Sequence, residues 1–191
     1  CVVNLSGCEN YGDNLFGNDN CRNACVDFYN HMVSKYNVEK RCCMIGASNG
    51  AQTTINASYL LGELVKAVIL QYPLTCLVDH YEAYSDHRAG IRNAYGITNS
   101  SITKEELIKA TATHDVKHTN VVGDTKVGYF PPTKIYYSET DRVVNYQVNA
   151  LSLFELLDSS LKVVEKVKCG GNHGDYSHFN PDEYLEWFEK Y

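Results

Sequence analysis

The stretch Met44-Ile45-Gly46-Ala47-Ser48-Asn49-Gly50 decides how the rest of the chain is read. The apolar run Cys42-Cys43-Met44-Ile45 leads straight into a G-x-S-x-G pattern at residues 46–50, and a helix-like segment, Ala51 to Val65, follows. Strand, sharp turn and helix in that order are what a nucleophile elbow requires. A serine at such a turn holds a strained backbone, and glycines two residues either side let strand and helix pass closely. Ser48 then stands at a helix N-terminus, where unpaired N–H groups and the helix dipole favour negative charge. The alternative is a small residue in a tight turn with no chemistry.

Outward from this point the chain alternates between strand and helix signals. Strands are expected at Val2–Leu5, Arg41–Ile45, Leu64–Leu70, Lys134–Tyr137 and Val163–Cys169. Asn18 or Asp19 can cap a helix to about Tyr36, with Cys21, Cys25, Phe28, Tyr29 and Met32 on its buried face. Thr103 and Glu106 form a capping-box pattern that starts a helix to about Ala112. Tyr146 to Leu157 reads as an amphipathic helix. A last helix starts from Asn180 and Pro181, with Tyr184, Leu185 and Phe188 facing inward. Ser6 to Asn18 is rich in Gly, Asn and Asp and reads as a loop. The rest of residues 75–130 reads as an irregular, cap-like excursion.

Alternating strands and helices predict an α/β fold, a mostly parallel sheet with helices on both faces, in a single domain over residues 1–191. In such sheets ligands sit beyond the carboxyl ends of the strands. The loops there carry Ser48, Asp141 and His173, in that chain order. Serine needs a base to act as a nucleophile, histidine is the usual one, and an acid fixes the histidine tautomer.

In these residues the sequence resembles the α/β-hydrolase superfamily. The matching motifs are Gly46-Ala47-Ser48-Asn49-Gly50, the strand-then-acid Lys134 to Val144 with Asp141 two residues before Val143, and Cys169-Gly170-Gly171-Asn172-His173-Gly174. The loop Asn10 to Asn18 is similar to that of small esterase-like members of bacteria and their phages. The resemblance implies a Ser48-His173-Asp141 triad, with the backbone N–H of Asn49 as an oxyanion donor. It also implies strands ahead of Val2–Leu5 and a second oxyanion donor, worth about 2.7–4 kcal/mol of transition-state stabilisation. Either the chain is the C-terminal part of a larger product, completed by an N-terminal fragment or partner chain, or the loop Ser6-Gly7-Cys8-Glu9 supplies that donor. The first is preferred.

Alternatives stand beside each assignment. Asp141 could cap the following helix or pair with Arg142, and Glu139 is the nearest substitute acid. His173 could be a plain loop residue, with His178 as base. Residues 173–178 could instead bind a metal. Tyr72, Tyr81, Tyr84 and Tyr95 read as packing or substrate-contact residues.

Composition narrows the partners. Of 191 residues 44% are hydrophobic and 21% charged, and the net charge is −6, as expected of a soluble globular protein. With no basic run, nucleic acid is excluded as a partner. No apolar stretch reaches the roughly 18 residues that span a bilayer, and no signal peptide is visible, so location stays open. The eight cysteines include no C-x-x-C and are expected to be buried, reduced thiols. Asn-x-Ser triplets at Asn4, Asn56 and Asn99 are expected to be coincidental. The function expected is cleavage of a carboxylic ester, small-molecule or glycan-linked, through an acyl-enzyme, without metal or cofactor. Acyl transfer with the same triad, or a non-catalytic binding protein on the scaffold, are the rivals.

Overall fold

Asn18 accepts a hydrogen bond from Cys21 N and opens the first helix, α1 (Asp19–Lys35), whose Val26 and Tyr29 pack onto the sheet. The computed structural model describes residues 16–112, 114–115 and 129–191. The expected strand Val2–Leu5, the loop Ser6–Glu9 and most of the Asn10–Asn18 loop lie outside the described residues. The elements that follow α1 are β1 (Cys42–Ala47), α2 (Asn49–Leu61), β2 (Val65–Gln71), α3 (Leu77–Ala83), α4 (Arg88–Ala94), α5 (Lys104–Thr111), β3 (Thr133–Ser138), α6 (Ser152–Ser159), β4 (Val164–Cys169) and α7 (Pro181–Lys190).

The four strands form one parallel sheet in the order β1-β2-β3-β4. Side chains alternate across it, as the twofold period of a strand requires. Val68, Leu70, Ile135 and Tyr137 face one core with Ile55 of α2 and Leu153 and Leu157 of α6. Ala67, Ile69 and Tyr136 face the other, closed by Tyr184 and Trp187 of α7. Helices therefore cover both faces, and the fold class is the one expected. Because all strands run the same way, their exit loops gather at one edge. Among the described residues no helix is long and apolar enough to cross a membrane.

Four expectations need correction. The described part of residues 75–130 is not irregular. It holds three short helices, α3, α4 and α5, around their own small core of Val78, Tyr81, Ile91 and Leu107. Only α5 carries a capping box, with Glu106 N on Thr103 Oγ1 and Thr103 N on Glu106 Oε2. On α7, Tyr184 and Phe188 face inward as expected, joined by Trp187, whereas Leu185 is 58% exposed. The helix expected at Tyr146–Leu157 begins as a wide π-type turn over Gln147–Leu151 before α6. That turn carries the buried Asn149, whose Oδ1 accepts from Thr75 N and Cys76 N and so pins the segment after β2. Cys42 and Cys43 are half-buried rather than buried, and burial pushes the Cys42 thiol up to about 11.

Candidate active site

Ser48 sits at the end of β1 with φ 52° and ψ −123°, a backbone conformation that a side-chain-bearing residue adopts only when its surroundings enforce it. Here the enforcement is visible. Ser48 N donates to Gln71 O at 2.9 Å, and Ser48 O accepts from Ala51 N and Leu74 N, each at 3.0 Å. The turn is thus bonded to the end of β2 as well as to α2. A Cβ on Gly46 would lie 2.7 Å from Gly50 O and 2.8 Å from Ala51 Cα, so only glycine fits there. Gly50 differs: among the described residues a Cβ there meets nothing within 4 Å. Asn49 opens α2, and its backbone N–H belongs to the first-turn donors that no helix carbonyl accepts.

His173 lies in the exit loop of β4, where Gly171 (φ 72°) and Gly174 (φ 74°) flank it in left-handed conformations. Its Nε2 is 2.8 Å from Ser48 Oγ and its Nδ1 is 2.7 Å from Asp141 Oδ2. The Asp141 carboxylate is almost wholly buried, its side chain 2% exposed, and its other oxygen accepts from Val143 N at 2.8 Å and Val144 N at 2.9 Å. Burial pushes its pKa up, but the hydrogen bonds from His173 and from the Val144 and Val143 amides outweigh that and hold it below the usual range. An ionised Asp141 accepts only, so Nδ1 of His173 carries the proton and Nε2 is left to accept from Ser48. The exit loops of β3 and β4 are also stitched together: Ser138 Oγ and Thr140 Oγ1 donate to Gly171 O, and Arg142 N donates to Asn172 Oδ1.

The substitutes stand elsewhere. Glu139 pairs with Lys168 at 2.6 Å. His178 is fully buried with Nδ1 on Asp175 O at 3.0 Å, whereas Ser48 Oγ meets His173. Among the described residues no group of three or more His, Cys, Asp or Glu is placed to hold a metal ion.

Two further neighbours border the site, Tyr72, expected from the sequence as a packing or substrate-contact residue, and His80, which the sequence did not single out. Tyr72, directly after β2, has φ 36°, and its ring meets His173 edge-on at 4.5 Å and His178 at 5.1 Å. The loop carrying both histidines closes around this one ring. Packing is thus one of the two roles expected of Tyr72. On α3, His80 is 2% exposed, its Nε2 is 2.7 Å from His87 Nδ1, and among the described residues its Nδ1 has no hydrogen-bond partner. Burial, then the nearby His87 and His173, push its pKa down to about 4. Nothing in the sequence distinguishes His80 from an ordinary surface histidine.

No protein-family model and no curated protein matches the sequence. Solved structures do. Esterase B of Lactobacillus rhamnosis superposes with a TM-score of 0.59 at 14% identity, over 87% of this chain and 58% of that one. An S-formylglutathione hydrolase of Staphylococcus aureus gives 0.59 at 14%, over 87% and 59%. A capsule O-acetyltransferase of Neisseria meningitidis serogroup A gives 0.56 at 12%, over 86% and 62%. The chain spans about three fifths of the length of each. Parallel sheet, helices on both faces and these superpositions together show that the chain has the α/β-hydrolase fold.

Proposed function

We propose that the protein is a serine hydrolase that cleaves a carboxylic ester through an acyl-enzyme. The observation that carries this reading is the continuous relay Ser48 Oγ–His173 Nε2, His173 Nδ1–Asp141 Oδ2, at 2.8 and 2.7 Å. In the proposed mechanism His173 takes the Ser48 proton as Oγ attacks the ester carbonyl, and Asp141 holds the tautomer and the imidazolium that forms. The developing oxyanion is held by the Asn49 N–H, at the positive end of α2. His173 returns the proton to the leaving alcohol, and a water molecule activated by the same histidine releases the acid.

A fluorophosphonate probe tests this directly. Labelling is expected on Ser48 and absent in Ser48→Ala, together with loss of ester hydrolysis. Absence of labelling in the natural protein would favour a non-catalytic binder. The likeness to an O-acetyltransferase supports a second reading, acyl transfer to an alcohol or thiol acceptor with the same residues. Partition of the acyl group between water and added acceptor separates the two.

A further inference from the structure

A run of aromatic rings leads from His173 out to solvent. The Tyr72 ring lies 4.5 Å from His173, Phe179 lies 6.3 Å from Tyr72, and Tyr176 lies 6.3 Å from Phe179, centroid to centroid. Exposure rises along the run, to 44% at Phe179 and 90% at Tyr176. Single exposed aromatics are ordinary. These two are unusual in their mounting. The short turn Tyr176–His178 is held by Ser177 N on Asp175 Oδ1 (2.9 Å), Ser177 Oγ on Gly170 O (2.7 Å), His178 N on Asp175 O (3.1 Å) and Phe179 N on Tyr176 O (2.9 Å). Rings on so fixed a backbone, each with only two side-chain rotors, lose little freedom when a ligand settles on them.

Their place relative to the reacting atoms says which part of a substrate they meet. In ester cleavage the histidine returns its proton to the leaving oxygen. The alcohol portion must therefore lie close to His173, the residue from which the aromatic run starts. We infer that Tyr72, Phe179 and Tyr176 form the subsite for the alcohol part of the ester, and that this alcohol is a sugar ring. The inference rests on the serine-hydrolase reading above.

The choice of a sugar follows from the polar residues that the same exit loops expose. Exposed polar groups, the Asn172 amide, the Arg142 guanidinium and the Tyr176 hydroxyl, stand on the same two exit loops. A hydrocarbon chain laid there would strip water from polar groups and return nothing. A pyranose offers C–H groups to the electron-rich ring faces and hydroxyls to the polar border. In the reaction, Ser48 Oγ bonds to the acyl carbon and the acyl–oxygen bond to the sugar breaks. The proton taken from Ser48 passes from His173 to the sugar oxygen, and water then releases the acyl group as a carboxylic acid.

The test compares acetyl esters that differ only in the alcohol: ethyl acetate, phenyl acetate, and mono-O-acetylated methyl glucoside, galactoside and mannoside. The natural protein is expected to prefer at least one sugar ester to ethyl acetate. Tyr176→Ala and Phe179→Ala are expected to lower kcat/KM for that ester roughly tenfold, mainly through KM, and far more than for ethyl acetate. No preference for any sugar ester, equal losses on sugar and ethyl esters, or losses on phenyl acetate alone would each overturn the inference. Fluorophosphonate labelling of Ser48 runs alongside. Failure to label strikes the hydrolase reading, whereas normal labelling with indifference to sugar esters strikes this inference only.

Discussion

His173 Nδ1 meets Asp141 at the one carboxylate oxygen that the backbone leaves open. Oδ1 of Asp141 is occupied by the amides of Val143 and Val144, so Oδ2 alone faces the ring, at 2.7 Å. The acid is thus fixed in rotation before it fixes the histidine. Replacing it by an amide keeps the shape and removes the charge. Asp141→Asn is expected to lower kcat by about 10⁴-fold, the cost of the equivalent change in a serine protease triad. Glu139→Gln, which loses only an exposed pair with Lys168, is expected to leave the rate unchanged. Steady-state kinetics on a short-chain aryl ester reads both, and the reverse ranking would move the acid two residues.

Ser48→Ala is expected to remove hydrolysis of the same ester by roughly 10³-fold or more while the thermal transition stays in place. Activity retained within an order of magnitude would leave the elbow without its assigned role.

The two loop histidines should fail differently. His173→Ala is expected to abolish turnover with the fold retained. His178→Ala removes a fully buried ring packed on Tyr72, so its main expected effect is a lower melting temperature, with a smaller loss of rate through the loosened loop. Calorimetry beside kinetics separates them.

Acidity should act twice. The rate is expected to fall on acidification because a protonated His173 cannot accept the serine proton, and a rate that does not fall would speak against a histidine base. Stability should fall as well, through His80. Its pKa drops from 6.5 in the free side chain to about 4 in the folded protein, so below 6.5 the unfolded chain binds more protons. The loss therefore grows as pH falls from 6.5 and levels off near 4. Melting temperatures over that range should fall less steeply in His80→Asn, which does not take up the proton; equal slopes would place the acid sensitivity elsewhere.

Gly46→Ala is expected to destabilise the fold by about 1–3 kcal/mol or more, since the added carbon meets backbone that cannot step aside. Gly50→Ala should be mild by comparison. Chemical denaturation of the two variants checks the asymmetry.

The residues of the relay were legible because each falls directly after a strand and beside glycine or a short acid-bearing loop, patterns only a few residues long. The sheet was legible for the same local reason, since runs such as Val65–Gln71 are mostly apolar. Other features depend on what a segment docks against. α3 and α4 are seven residues each, too short to show a helical period, and their apolar side chains make sense only around their shared core. The phase of α7 is set by the sheet beneath it, which takes Trp187 and leaves Leu185 in water. The positive φ of Tyr72 is imposed on a residue with no intrinsic preference for it, and so leaves no mark in the sequence.

The hydrogen bond between Ser48 and His173 joins residues 125 positions apart. A chain emerging from the ribosome can complete β1, α2 and β2 long before His173 exists, so the proposed nucleophile is built early and stays unarmed. Its activation must wait for the last strand to dock. The hydrolytic activity proposed here is thereby coupled to completed folding. A fluorophosphonate applied during refolding would time the arrival of β4, not the formation of the elbow, and would give this molecule a built-in clock for a contact between distant parts of the chain.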